Sequence, residues 1–337
     1  MHRIPVLTFT VLLATLTASP QSRAHHAASG LYDRDGWITV RGRIDSVFWR
    51  NPHVRFTLLV ESQDGTEGPW EIEAGSVNSL ERMGIGEDVL EPGGVVEVSG
   101  LPGREGQPIA FARSIVSAEG EDVSLFFELD RLDAHYELER DADVADTPDD
   151  IFRVWVPVRV PNTGSGRLQL PLTEPAFAFR SEWDPADDPS LRCEPPGMPA
   201  AMDNPYPIEL EDRGDTIVLR LEEWDGVRTI RMNPDPAADP PAPSPMGYSV
   251  GRWEGDTLIV ETSRINYPYF DDLGTPQSSS IRVTERFDLD AENARLLWTG
   301  EIVDPVSFSE PVVLEIEWRF IPGNERKPFR CALPDAG

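Results

Sequence analysis

The stretch Val250-Gly-Arg-Trp-Glu-Gly-Asp-Thr-Leu-Ile-Val-Glu-Thr262 constrains this chain more than any other. It reads as a strand, a tight Gly255-Asp256 turn and a second strand. Gly tolerates positive φ and Asp bonds its own backbone, so the pair suits a two-residue turn. Leu258, Val260 and Thr262 alternate with Thr257, Ile259 and Glu261, the period-two pattern of a half-buried strand. Arg213-Gly-Asp-Thr-Ile-Val-Leu219 repeats the device. Two copies predict a meander of antiparallel hairpins. Helical periodicity is scarce, and 32 Pro with 26 Gly supply many turns, so the chain reads as all-β.

At 337 residues the chain has room for two domains of about 100–200 residues each. Residues 25–120 form the first. Strands are predicted at Trp37–Phe48, Val54–Val60 and Trp70–Glu73. A short helix follows over 76–83, with Ser76 as its cap and Gly84 as its stop. Two more strands follow at Val95–Val98 and Ile109–Ser117. Three strands, a helix and two strands is the order of an OB-like five-stranded barrel. Residues 121–150 read as an acidic, solvated connection. Residues 151–337 continue as an antiparallel β-meander, with strands near 152–158, 208–212, 215–223, 226–232, 250–262, 280–288, 295–303 and 311–320. Such a meander closes as a lipocalin-like up-and-down barrel or stacks as a sandwich.

Residues 1–24 read as a signal peptide: Arg3, an apolar run from Val6 to Thr17, and Ser22-Arg23-Ala24 with small residues at −3 and −1. The mature protein is then expected to be periplasmic or secreted, without a membrane span. Its 59 acidic and 30 basic residues give a formal charge of −29. That balance argues against nucleic-acid partners and against an anionic membrane surface. Cys193 and Cys331 are the only cysteines. In an oxidising compartment such a pair suits a disulfide from the tail to the Pro-rich segment; the alternative is two free thiols.

Ala24-His25-His26, Phe48-Trp-Arg-Asn-Pro-His-Val54 and Glu73-Ala-Gly-Ser-Val-Asn78 resemble a family of short secreted bacterial proteins of unknown function. The resemblance covers about residues 24–100. Cys193-Glu-Pro-Pro-Gly197, Asn204-Pro-Tyr-Pro207, Gly251-Arg-Trp-Glu-Gly-Asp-Thr257 and Thr284-Glu-Arg-Phe287 resemble a second uncharacterised bacterial module. Relatives of that module carry Gly-His-Pro-His-Ser where this chain has Gly274-Thr-Pro-Gln-Ser278, so any role of those histidines is absent here. Neither resemblance implies an activity.

Three sites are candidates for chemistry. The first is copper at the mature N-terminus. Cleavage after Ala24 leaves the amine and imidazole of His25 for one metal, with His53 or His26 completing the nitrogen set; such ligands suit Cu(II). The alternative is a disordered two-His start and a His53 that caps a strand turn. The second candidate is a small-ligand pocket formed by Asn266-Tyr-Pro-Tyr-Phe-Asp-Asp272 with Trp224, Arg252 and Trp253. Asn266, Tyr267 and Tyr269 would bind, and a buried Asp271 or Asp272 would serve as general acid or base in a hydrolase or isomerase. Equally, the tyrosines are core plugs and the acids a solvated turn. The third, Gly247-Tyr-Ser-Val-Gly251, matches a nucleophile-elbow pattern. It lacks the strand–Ser–helix context and any later His, so Ser249 reads as a strand residue. His135 sits in a charged segment and reads as exposed. The leading expectation is an exported small-ligand-binding protein, with no assembled catalytic set.

Overall fold

The computed structural model describes residues 31–33, 35–61, 65–126, 149–159, 168–184, 187–234, 239 and 241–333. Residues 1–24, expected to be a signal peptide, together with His25, His26, His135 and most of the acidic connection lie outside the described residues. Among the described residues the first module is built on β1 (Ile38–Phe48), β2 (Arg55–Glu61), β3 (Glu67–Glu73), α1 (Val77–Arg82), β4 (Val95–Pro102), β5 (Ile109–Ser117) and β6 (Asp122–Ser124). The sheet runs β3-β2-β1-β4-β5-β6, and a parallel β3–β5 pairing closes the first five strands into the OB-type barrel. Alternation puts Ile44, Leu58, Ile72, Val98 and Ile115 in its core. The Ser76 hydroxyl caps α1 by accepting from Ser79 N at 3.0 Å.

The second module holds β7 (Val154–Arg159), α2 (Glu174–Glu182), β8 (Ile208–Asp212), β9 (Thr216–Leu221), β10 (Val227–Arg231), β11 (Tyr248–Glu254), β12 (Thr257–Ser263), β13 (Arg282–Asp290), β14 (Arg295–Val303) and β15 (Val312–Arg319). Its nine strands form a closed barrel rather than a sandwich. Every pairing is antiparallel except β10–β11, which is parallel. The meander is therefore broken once, where the Pro-rich stretch after Met232 replaces a hairpin. The sequence reading also had no α2. Its cap, Thr173, and its Pro175 near the start are ordinary helix signals. The exposed Phe177 and Phe179, two residues apart, do not follow helical spacing.

The interior of this barrel is filled, unlike a calyx that holds a ligand. Trp155, Phe287, Trp298 and Trp318 occupy it with aliphatic residues of β8, β9, β10, β12, β13, β14 and β15. Gly300 is required beside Trp298, because a Cβ there would stand 2.5 Å from the indole. A buried polar cluster crosses the same space. The Arg228 guanidinium donates from Nη1 to Glu285 Oε1 at 2.8 Å and from Nη2 to Oε2, closing a two-pronged ion pair. Arg228 also donates to Ser249 Oγ at 3.0 Å and Thr262 Oγ1 at 2.6 Å. Trp298 Nε1 donates to Glu285 at 3.0 Å. Ser249 is thus a strand residue with its hydroxyl in a structural network.

The modules meet along α1. Glu222, fully buried, accepts from Asn78 Nδ2 at 2.9 Å, from Arg82 Nε at 3.2 Å and from the Lys327 backbone N at 2.8 Å. Arg82 Nη2 completes the ion pair. Asn51 accepts from Val77 N at 2.9 Å and donates to Asn78 Oδ1 at 2.8 Å and to the Phe329 carbonyl. Tyr206 OH donates to Ser76 at 2.8 Å. Cys193 and Cys331 are disulfide-bonded, tethering the tail beside this joint. Among the described residues no helix is long and apolar enough to cross a membrane.

Removing one partner of a buried ion pair strands the other charge in the interior. Glu285→Ala is expected to cost about 3–5 kcal/mol, whereas Arg228→Met combined with Glu285→Leu recovers most of that loss. Urea unfolding of the two variants and the parent checks both values.

Candidate functional site

His53 follows the Asn51-Pro52 break after β1, and Glu73 closes β3, so the barrel brings two strand ends together. His53 Nδ1 lies 2.9 Å from Glu73 Oε1 and 3.1 Å from the Ala74 carbonyl. Both are acceptors, so in the neutral ring Nδ1 carries the proton and Nε2 carries the lone pair. Tyr32 OH donates to the other Glu73 oxygen at 3.2 Å. Burial, then the Glu73 charge, pushes the Tyr32 hydroxyl well above its ordinary range and keeps it a donor. Tyr32, Glu73 and His53 form a hydrogen-bonded chain on the outer side of the OB barrel.

A cavity of about 420 Å³ opens beside that chain. Tyr32, Phe48 and Ile109 give it apolar walls, and Arg55, Glu71 and Glu73 give it charged ones. It lies over β1, β2 and β3. The outer face of strands 2–3 is where barrels of this topology hold their ligands.

At the junction of the modules His53 also comes within electrostatic reach of Asp188 and Asp272. Crowding by protein, then by Asp188, Asp203 and Asp271, pushes the Asp272 carboxyl up to about 7. Asp272 keeps a solvent-exposed surface, which moderates those charges. Burial, Asp272 and Asp203 hold the Glu223 carboxyl well above the usual carboxylate range. Burial and the charges of Asp188 and Asp272 likewise raise the Tyr267 hydroxyl.

The residues expected from sequence are divided between the two ends of the nine-stranded barrel. Trp224 and the 266–272 loop lie at the end where β11 begins, because Tyr248 pairs with Ser263. Arg252 and Trp253 lie at the other end, about 17 Å along a five-residue rise. Trp224 packs against Phe329 at 5.0 Å, within the joint. Asn266 is exposed, and its backbone N bonds Ser244 O at 2.8 Å. Tyr267 and Tyr269 stack edge to face at 6.2 Å. Tyr269 meets Trp183 at 5.9 Å, and Trp183 covers Gly274, where a Cβ would fall 2.1 Å from the indole. Asp271 is buried and shapes the loop: it accepts from Leu273 N and Thr275 N, both at 3.0 Å, and from Thr275 Oγ1 at 2.7 Å. Asp272 is the acid of this pair that carries no such bonds in the loop.

Among the described residues no three His, Cys, Asp or Glu side chains converge to hold a metal ion. The sequence reading missed Tyr32, Arg55 and Glu73. Glu73 heads the Glu73–Asn78 motif, so its place in a motif was a usable signal; Tyr32 had none.

Fold and site together define a two-barrel protein, an OB-type barrel bonded through α1 to a filled nine-stranded barrel. Residues 13–111, which include most of the first barrel, match a family of unknown function, DUF6152. No curated protein matches the chain.

The raised Asp272 and Glu223 carboxyls set a pH dependence. Between the ordinary carboxylate value and about 7 the folded state holds protons that the unfolded state has lost. The stability that Asp272 contributes is therefore fully present below about pH 4 and falls as pH rises through about 7, and the raised Glu223 carboxyl acts in the same direction. Thermal unfolding across that window is expected to show the decline, and Asp272→Asn is expected to flatten it.

Proposed function

We propose that this chain is an exported protein that binds a small molecule on the outer face of its OB barrel. The observation that carries the reading is the 420 Å³ cavity over β1–β3, where aromatic walls meet the Arg55, Glu71 and Glu73 charges. Clefts of this size with a few convergent polar groups suit small ligands. The formal charge of −29 disfavours polyphosphate and nucleic acid as occupants. Export is supported by the leader-like start and by the Cys193–Cys331 bond, which belongs to an oxidising compartment. A thermal-shift screen of small polar organic compounds is expected to find a stabilising ligand. At a hundredfold excess over its Kd it adds about 2.7 kcal/mol, and Phe48→Ala removes the effect. A stabilisation unchanged in Phe48→Ala would put the ligand elsewhere.

Copper is a second reading, favoured by one observation. His53 has Nδ1 fixed by Glu73 and Ala74, the outer-shell arrangement that metal-ligating histidines use. His53 would supply Nε2, and His25 its amine and imidazole, with His26 adjacent. Protein processed behind Ala24 is expected to retain about one copper per chain and to lose affinity 10–100-fold in Glu73→Gln. Metal analysis after dialysis decides it; equal copper in His53→Ala would remove the reading.

A further inference from the structure

A second cavity, also about 420 Å³, lies at the far mouth of the nine-stranded barrel. Phe152, Ile217, Met232 and Trp253 make its apolar part; Asp212, Asn233 and Arg252 stand at its polar part. Trp253 follows the inward register of Ser249 and Gly251, yet it is 44% exposed, because β11 ends there. Phe152 meets it edge to face at 6.3 Å, which holds the indole upright. Gly251 leaves room for Met232 beneath: a Cβ there would stand 2.7 Å from the Met232 sulfur.

The chemistry of the walls selects the occupant. A lipid chain has no route inward, because Trp155, Phe287 and Trp318 fill the barrel. A strongly charged ligand gains little, because Asp212 and Arg252 bear opposite charges. Both polar groups are already oriented. Asp212 Oδ1 accepts from Gly214 N at 2.8 Å, and Arg252 bonds Glu254 at 2.9 Å and Glu261 at 2.7 Å. What remains is a neutral ring with one apolar face for an indole and hydroxyls around its edge. Apolar lining with a few polar groups at a barrel mouth is an ordinary setting for such ligands.

We infer that the barrel mouth formed by Phe152, Met232 and Trp253 binds a neutral carbohydrate, with a pyranose ring stacked on Trp253. The hydroxyls face Asp212 and Asn233. This site is separate from the cavity on the OB barrel.

Titration calorimetry of the full processed chain tests it, with cellobiose, maltose, N,N′-diacetylchitobiose and methyl β-glucopyranoside as probes. At least one probe is expected to bind. Trp253→Ala is expected to weaken it by about tenfold or more, and Trp253→Phe to weaken it less. Trp253 stands at the rim outside the barrel core, so an unchanged melting temperature shows that the variant folds. Phe48→Ala, on the OB barrel, is expected to leave sugar binding unchanged. No binding of any probe to the parent protein overturns the inference. So does binding that survives Trp253→Ala, or binding that is lost in Phe48→Ala alone, which would put the sugar on the other barrel.

Discussion

One buried carboxylate holds this molecule together as a unit. Glu222 lies at the end of the nine-stranded barrel and takes donors from α1 of the other module and from the tail. A carboxylate out of water is costly unless its lone pairs are filled. Here the Arg82 guanidinium, the Asn78 amide and a backbone N–H fill them at once. The requirement then spreads outward. Asn78 must be fixed, so Asn51 bonds it; the tail must return, so Phe329 packs on Trp224 and Tyr206 and the disulfide anchors Cys331. The motif residues Asn51, Ser76 and Asn78 therefore shape the contact between barrels as well as the first barrel itself.

The two barrels solve the problem of a closed sheet differently. The OB barrel is small, and its apolar core leaves the outer face of β1–β3 free to form a cavity. The larger barrel encloses more space than aliphatic side chains conveniently fill. Tryptophans take much of it, and the Arg228–Glu285 pair spans the rest with every prong bonded. A filled interior moves any binding to surfaces and mouths. This is why both proposed sites lie outside the barrels, one on a sheet face and one at a rim.

Much of the fold was legible in the residues. The strand set was readable because period-two alternation is a local property, and the Ser76 cap and the Gly255-Asp256 turn were readable because each acts within a few residues. The candidate site was less legible. Trp253 and the 266–272 loop share an aromatic and polar character, yet the strands carry them to opposite ends of a barrel. Asp271 and Asp272 are neighbours with different fates, one bonded into its loop and one left in an acidic recess. Glu285 sits on the apolar register of Val283 and Phe287, a mismatch visible in the sequence whose partner, Arg228, was not.

The sequence by itself determined that the chain is built of strands, where most of them turn, and that a five-stranded barrel comes first. These follow from interactions between residues a few positions apart. Only the tertiary structure decided that the second sheet closes, that β10 and β11 run parallel, and that Glu222 joins residues more than a hundred positions away. Those outcomes depend on which distant surfaces exclude water from one another. No local pattern encodes that choice, because it is made by the packing of the whole chain.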